Sequence, residues 1–478
     1  MSTADADDLP LFAPSKKVYP QSVSGPYRRA KWIILVLCLG IYYLLPFLRW
    51  DRGPNLPNQA VLADIANNRF YFFFIEIWPQ EVYYFTGLLI LAAFVLFLMN
   101  AVAGRVWCGY LCPQTVWTDL FLAVERFFEG DRRERIKRDE APWSFDKAWR
   151  KSAKHAVWLV IAWWTGGAWV LYFADAPTLV KELATFTAPL SAYVWIAILT
   201  FTTYSLAGIM REQVCTYMCP WPRIQAALTD DDALNVTYRY DRGEPRVSVK
   251  QAQRLRSTGA PAGDCIDCNQ CVAVCPTGID IRDGAQMDCI QCGLCIDACN
   301  TVMTKVGYPA GLIAYDTDDN VKRRQAGQKP VYRPLRARTL TYAGLILVVG
   351  GAMVYQLATR KMADISVLHE RSPLFVKLSD GSIRNSYTVR LLNKRPESRP
   401  FALTVSGPAG ARIEAVGSAA TADLRPVVTV EPDSSREVRV LVTVPADVHL
   451  EKSQPVTITA SDLFAGEVVR AEDHFMAP

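Results

Sequence analysis

Apolar residues collect in five long stretches, and polar or charged connections separate them. Each stretch approaches the roughly 20 residues that a helix needs to cross the hydrocarbon core of a bilayer. The stretches lie near residues 32–48, 82–102, 156–174, 190–210 and 340–357. Buried helices of a soluble core are the alternative, but a segment such as 87–102 carries no charge. The pattern therefore predicts a helical transmembrane bundle of about five spans.

Beyond Lys361 the pattern changes to short runs rich in valine and threonine, with turn residues between them. The runs are 386–392, 401–405, 427–430, 438–444 and 456–459. Short β-branched runs separated by turns are typical of antiparallel strands. We expect a small β-sandwich of about 110 residues. It contains no cysteine, so disulfides do not stabilise it.

The composition supports a membrane protein, since 51% of the residues are hydrophobic, only 21% are charged, and 13 are tryptophan. Basic residues crowd the connection after the second stretch and the approach to the fifth, whereas the connection between the third and fourth has only Lys181. Basic loops remain on the cytoplasmic side. We attribute the net charge of +5 to these loops and predict no nucleic-acid partner.

These patterns predict five regions in the bacterial inner (cytoplasmic) membrane. The first thirty residues lack the apolar core of a cleavable signal peptide. The predicted regions are 1–30, a cytoplasmic tail; 31–221, four transmembrane helices with a basic cytoplasmic loop; 222–336, a cytoplasmic ferredoxin-like domain; 337–361, the fifth transmembrane helix; and 362–478, a periplasmic domain.

Eight of the 13 cysteines fall in two matching runs within 222–336, each spaced Cys-x2-Cys-x2-Cys-x3-Cys. This is the spacing of a ferredoxin with two [4Fe-4S] clusters, in which the last cysteine of each run serves the other cluster. We predict one cluster on Cys265, Cys268, Cys271 and Cys299. We predict the other on Cys289, Cys292, Cys295 and Cys275. Zinc ribbons use separated CxxC pairs without the further x3-Cys-Pro, so zinc or disulfides are the weaker alternatives.

Four further cysteines form a repeated CxxxCP motif just after the second and fourth apolar stretches. They are Cys108, Cys112, Cys215 and Cys219. Proline favours the first position of a helix, so we expect Cys112 and Cys219 to be N-cap residues whose thiol pKa values are lowered there. Soft thiolates select Cu(I), zinc or iron-sulfur clusters. The alternative is that these are small buried hydrophobic residues.

Three segments together resemble the cytochrome c oxidase accessory protein family known as CcoG, FixG or RdxA. They are residues 107–119, the second CxxxCP motif and residues 264–284. The resemblance covers nearly the whole chain. It implies a polyferredoxin-like membrane cupric reductase that takes part in assembly of a cbb-type haem-copper oxidase. It also implies an immunoglobulin-like C-terminal domain and, as partners, copper chaperones or oxidase assembly factors.

On this basis the expected function is reduction of Cu(II) to Cu(I), with two [4Fe-4S] clusters supplying electrons and copper as substrate or bound ion. Cys108, Cys112, Cys215 and Cys219 are the predicted copper-handling and catalytic thiols. One alternative is a quinol dehydrogenase that serves a periplasmic acceptor. Another is a redox sensor or assembly scaffold without turnover. The sequence does not identify the electron donor, since no nucleotide-binding glycine motif follows a strand. It does not indicate the oligomeric state either.

Overall fold

The computed structural model describes residues 17–53, 56–395, 397–420 and 425–478. They form two compact units. One comprises Met1–Trp50 and Asn58–Met353, and the other Asp51–Pro57 and Val354–Pro478. The first holds the apolar helices and all the cysteines, and the second holds the predicted β-sandwich.

Apolar helices and short amphipathic helices alternate in the first half of the chain. These helices are α1 Pro26–Leu44, α2 Tyr83–Ala103, α3 Val106–Tyr110, α4 Pro113–Glu129, α5 Arg132–Glu140, α6 Phe145–Val170, α7 Ala176–Ala184, α8 Leu190–Thr203 and α9 Trp221–Leu228. After α8 the backbone continues in π-helical turns at Tyr204–Met210 and Val214–Met218. Between α1 and α2 lies an antiparallel sheet of strands β1 Val61–Asp64, β2 Arg69–Phe72 and β3 Ile75–Ile77, which the hydrophobic pattern did not predict.

Among the described residues, four helices are long and apolar enough to cross a membrane. They are Pro26–Phe47, Pro79–Ala103, Leu190–Met210 and Ala337–Ala358. The third predicted span lies in α6, whose first turns are rich in lysine and arginine and whose apolar part starts only near Ala156. That helix packs against α4 and α8 instead of standing alone.

The cysteine-rich segment folds around a two-stranded antiparallel ladder. Its elements are β4 Asn235–Tyr238, α10 Tyr240–Gly243, α11 Val249–Ser257, α12 Gln270–Ala273, α13 Leu294–Val306, β5 Ile313–Asp316 and α14 Asp318–Gln325, and α15 Ala337–Ala358 follows. Strands β4 and β5 pair in the register Asn235↔Asp316, which closes the segment on itself. Two helix-loop units lie between them, and each carries one run of cysteines.

Helix α1 begins at Pro26, inside the predicted tail, because the cysteine-rich segment caps it. The carboxylate of Asp297 on α13 accepts hydrogen bonds from the backbone N–H groups of Tyr27 (3.3 Å) and Arg28 (2.8 Å). A Cβ atom at Gly25 would lie only 2.2 Å from the Asp297 carboxyl carbon. Only glycine permits this close approach. The cap joins α1 to the helix that carries Cys295 and Cys299.

A cluster of buried charges joins α4, α5, α6 and the turn after α8. Glu125, which is 1% exposed, contacts three cations: Arg135 at 2.8 Å, Arg211 at 3.0 Å and Lys154 at 3.3 Å. Lys154 also pairs with Glu129 at 2.8 Å. Basic residues that the sequence marks only as topological signals therefore also hold these helices together.

The second unit is a sandwich of two antiparallel sheets, as predicted. Its strands are β6 Ala363–His369, β7 Val376–Lys377, β8 Ile383–Asn393, β9 Arg399–Ser406, β10 Arg412–Ala415, β11 Ala419–Ala420, β12 Pro426–Val430, β13 Ser434–Val444, β14 Ser453–Asp462 and β15 Val468–Met476. One sheet has the order β10-β13-β8-β6, with β7 also on β8, and the other β11-β12-β9-β14-β15. All five predicted strands lie within longer observed ones.

Candidate metal and electron-transfer site

The two cysteine runs share one backbone conformation. Asp267 and Asn269 in the first run have φ angles of 51° and 57°, and the equivalent Gln291 and Gly293 in the second have 55° and 72°. Left-handed backbone is uncommon for a residue such as Gln291. Its side chain is fixed here, since it accepts a hydrogen bond from the backbone N–H of Arg105 at 2.7 Å and donates one to Asn235. The repeated conformation curls each Cys-x2-Cys loop in the same way.

In the first cysteine group, three sulfurs of one run lie beside the last cysteine of the other run. Burial and the neighbouring thiols of Cys271, Cys268 and Cys265 raise the pKa of Cys299 to about 12. The sulfur of Cys299 therefore lies with the first run, although the residue belongs to the second. This is the grouping that crosswise ligation requires.

The second cysteine group has the reciprocal composition. Burial, together with the neighbouring thiols of Cys292 and Cys275, raises the pKa of Cys289 to about 12. Cys275, Cys289, Cys292 and Cys295 also line one small cavity, which Cys271 of the first group adjoins. Four thiols in each group can hold one cluster. Each group contains the four cysteines predicted to ligate one cluster.

The four CxxxCP cysteines come from two separate parts of the chain and line a single cavity of about 210 Å³. Cys108 lies on α3, Cys112 precedes α4, Cys215 lies in the second π-helical turn, and Cys219 follows that turn. Gln114 holds the two parts together, since its amide donates to the carbonyl oxygens of Leu206 at 2.8 Å and Arg211 at 3.1 Å. Two motifs more than a hundred residues apart thus form one site.

The N-cap prediction holds for one of the two motifs. Cys112 is the N-cap of α4, whereas Pro220 occupies that position before α9, so the prediction for Cys219 is wrong by one residue. The reason is that Trp221 and Pro222, not Pro220, form the first helical turn. The pKa of Cys108 is raised to about 12 by burial and by Cys112, and burial likewise raises that of Cys215 to about 12. With such pKa values, both thiols are protonated at neutral pH in the absence of a metal. Binding of a metal to either sulfur would release its proton.

Cys289 connects the two kinds of site. It lines the small cavity with the other cysteines of its group, and it also lines the large cavity with the four CxxxCP cysteines. Ile290 is shared in the same way. A predicted cluster ligand is therefore part of the wall of the four-thiol cavity, which places the two sites side by side for electron transfer.

Arg105 also lies at this wall. The charge pattern of the sequence indicates only a basic loop residue at this position. Its side chain is buried, and its guanidinium donates to the carbonyl oxygens of Pro222 (2.7 Å), Cys289 (3.4 Å) and Met287. Within the described part of the chain, no carboxylate forms an ion pair with it. Its electrostatic neighbours are the thiols of Cys108 and Cys289 and the carboxylate of Asp288. A buried cation beside thiols favours negative charge on them.

The spacing of the cysteines bears on what each site can hold. No three His, Cys, Asp or Glu side chains among the described residues are grouped closely enough for a single metal ion. This is true of the two ferredoxin groups as well, whose motif is that of a polynuclear cluster. Neither the ferredoxin groups nor the four-thiol cavity is therefore arranged as a site for one ion held by three such side chains.

Comparisons with known proteins agree with this arrangement. Three family models match: a 4Fe-4S dicluster domain over residues 210–318, a 4Fe-4S binding domain over 85–129, and an IG-like fold at the C-terminal of FixG over 353–478. Nitrogen fixation protein FixG of Rhizobium meliloti is 48% identical over 95% of this chain and 91% of its own length. Proteins RdxA and RdxB of Cereibacter sphaeroides are 51% and 48% identical, over 95% and 99% of this chain and 94% and 99% of their own lengths.

Proposed function

The chain belongs to the family of the proteins FixG, RdxA and RdxB, and from that premise we propose that it reduces Cu(II) to Cu(I) for the assembly of a cbb-type haem-copper oxidase. The family models, the cysteine motifs and the apolar helices establish the general class, a membrane-bound iron-sulfur protein of electron transfer. The observation that carries the proposal is the cavity in which four thiols meet Cys289.

The four-thiol cavity is the proposed place of copper reduction. Sulfur ligands favour the softer Cu(I) over Cu(II), which makes the ion easier to reduce. When bound, the two clusters of the ferredoxin-like segment supply electrons singly, as the Cu(II)/Cu(I) couple requires. Because Cys289 forms part of the cavity wall, the path of an electron from its cluster into the cavity is short. The positive charge of Arg105 offsets the negative charge of the thiolates there. The sequence predicts that the four thiols bind copper themselves. The iron and copper content of the purified chain tests this prediction.

The proposed location is the bacterial inner membrane, with the ferredoxin-like segment cytoplasmic and the sandwich periplasmic. The support is the concentration of lysine and arginine after α2 and before α15. The four-thiol cavity would then receive copper and electrons on the cytoplasmic side. The proposed partners are copper chaperones or oxidase assembly factors, together with an electron donor not identified by any motif.

The test is cupric reduction by the full chain, purified in detergent without oxygen and reduced with dithionite. After removal of excess dithionite, Cu(II) is added and Cu(I) is measured with a Cu(I)-specific chelator. We expect about one Cu(I) for each cluster electron. A Cys265→Ser variant should give less, whereas Cys38→Ser, which changes a lone cysteine of α1, should match the wild type. Fully reduced clusters that form no Cu(I) would overturn the proposal.

A second cavity favours quinol oxidation as the alternative. It has a volume of about 490 Å³ and lies among α1, α6, α7 and α8, with Trp163, Trp164 and Phe186 in its lining. The hydroxyl of Tyr193 also lines it, is buried, and has no hydrogen-bond partner within the described residues. An apolar pocket with a free hydroxyl suits a quinone ring. Reduction of the clusters by a ubiquinol analogue, abolished in Trp164→Ala, would favour this function.

A further inference from the structure

We propose that Cys108, Cys112, Cys215 and Cys219 hold a third [4Fe-4S] cluster, beside the two in the ferredoxin-like segment. The inference rests on the four-thiol cavity and is independent of the identity of the final electron acceptor. It changes the role of these thiols from direct copper ligands to ligands of the last electron carrier before copper.

The size of the cavity argues against a lone ion held by three or four of its thiols. A metal bound by thiolates at about 2.3 Å needs sulfurs within about 4 Å of one another. No such group exists among the residues that the structure describes. A buried water needs roughly 10–15 Å³, so the 210 Å³ between the four thiols would accept many waters. A cubane of iron and sulfide would fill such a space, with one iron atom for each of the four cysteines.

The count of ligands leads to the same occupant. The model of a 4Fe-4S binding domain matches residues 85–129, which contain only Cys108 and Cys112. A [4Fe-4S] cluster takes four thiolates. The eight cysteines of the two runs form their own groups, so the missing pair must come from elsewhere. Besides Cys289, which belongs to the second ferredoxin group, Cys215 and Cys219 share the cavity with Cys108 and Cys112.

The surroundings suit an anionic group of this kind. Four thiolates around a cubane carry net negative charge, and buried Arg105 lines the same cavity as the nearest cation, with Asp288 as a carboxylate also in the lining. Cys112 lies at the N-terminus of the 17-residue helix α4, whose dipole favours negative charge. Gln225, which is 1% exposed, also faces the site and accepts a hydrogen bond from Cys108 Sγ at 3.4 Å.

The position next to Cys289 gives the site its role in the one-electron chain. One electron from a reduced neighbouring cluster, itself supplied by a low-potential one-electron reductant such as a reduced ferredoxin, would pass through the cavity to Cu(II). The net change is one oxidised donor and one Cu(I), with no bond formed and no proton moved. Cu(II) would then meet the electron at the rim of the cavity, where Met287 is half exposed.

The test counts iron in the full chain, purified and reconstituted without oxygen. We expect about twelve irons and twelve sulfides per chain, four for each cluster, and Mössbauer spectra with all iron in cubane environments. The Cys108→Ser/Cys112→Ser and Cys215→Ser/Cys219→Ser variants should each lose about four irons and keep the paramagnetic resonance of the two ferredoxin clusters. Cys38→Ser is the matched control and should retain all the iron.

Two results would overturn the proposal. One is about eight irons in the wild type, unchanged in both double variants. The other is stoichiometric Cu(I) bound by the four thiols of iron-replete protein, which would establish the direct copper site instead. The wild-type count decides the question even if a double variant fails to fold. Twelve irons without cupric reduction would refute only the proposed function, and eight irons with it would refute only the third cluster.

Discussion

The carboxylate of Asp297 accepts a hydrogen bond of 2.8 Å from the backbone N–H of Arg28, so α13 caps a membrane helix that begins far earlier in the chain. Replacing Asp297 with alanine should lower stability by about 1–2 kcal/mol, because two helix N–H groups lose their acceptor. The measurement is the apparent Tm in detergent. Asp297→Asn should retain most of the stability, since its side-chain oxygen still accepts a hydrogen bond. Equal losses in the two variants would show that the cap is not the cause.

Crosswise ligation predicts which clusters single substitutions disturb. Cys275→Ser should perturb the same cluster as Cys292→Ser, because both sulfurs lie in the group of Cys289. Electron paramagnetic resonance of the reduced variants provides the comparison. If Cys275→Ser instead matches Cys268→Ser and leaves the second signal intact, the assignment is wrong.

The buried carboxylate of Glu125 makes the stability dependent on pH. Its pKa is lowered, since Arg211, Lys154 and Arg135 outweigh the cost of its burial. The contribution is present above the ordinary glutamate value of 4.5 and declines as pH falls through the lower folded value. Glu125→Gln should cost about 3–5 kcal/mol at pH 7 because it leaves buried cations unpaired. The variant should also lose much of the decline in Tm that the wild type shows as the pH falls below the ordinary value of 4.5.

The matched control for Glu125 is Asp146, whose carboxylate pairs with Arg150 one turn away on the surface. Asp146→Asn should cost only about 0.3–0.5 kcal/mol, as exposed pairs of this spacing do. Similar losses for the two substitutions would contradict the role of burial at Glu125.

Arg105 should raise the reduction potential of the cluster that Cys289 is predicted to bind. Removing a buried cation destabilises the more negative, reduced state, so Arg105→Gln should lower the potential on the order of 50 mV, roughly 1 kcal/mol for one electron. A redox titration followed by paramagnetic resonance measures it. The potential of Arg105→Lys should lie between those of the wild type and Arg105→Gln. Arg133→Gln, a change on the exposed face of α5, should leave the potential unchanged. An unaltered potential in folded Arg105→Gln would reject the role.

The orientation in the membrane can be tested with reporter fusions. Alkaline phosphatase joined near Ser434 should be active and the same enzyme joined near Leu312 inactive, because the basic loops predict a periplasmic sandwich and a cytoplasmic ferredoxin-like segment. The reverse pattern would refute the orientation.

Sequence alone predicted the features that depend on local periodicity and spacing. The cysteine runs, the apolar helices and the five strands of the sandwich each follow from neighbours a few residues apart. The β1–β3 sheet was missed because its strands are four residues or fewer and its aromatic residues do not alternate cleanly with polar ones. The third predicted span, residues 156–174, covers the apolar part of α6 but runs four residues past its end at Val170, because residues 171–174 form a turn.

Contacts between distant residues could not be predicted in this way. The backbone N–H of Arg105 donates to the side chain of Gln291 across 186 residues, and the Cys-x2-Cys spacing does not specify which residue stands at Gln291. The CxxxCP repeat did indicate that Cys108 and Cys215 act alike. That both motifs open into one cavity depends on the π-helical turn at Val214–Met218 and on the clasp by Gln114, which only the folded chain reveals.

The division of the four-thiol cavity between two motifs also has a consequence for biosynthesis. When the ribosome has completed α4, the nascent chain has only Cys108 and Cys112, half of the site. The other half is made after α6 and α8, and the Cys289 wall later still. Whatever metal group the cavity takes, its full set of ligands therefore exists only once the chain is synthesised beyond Cys289.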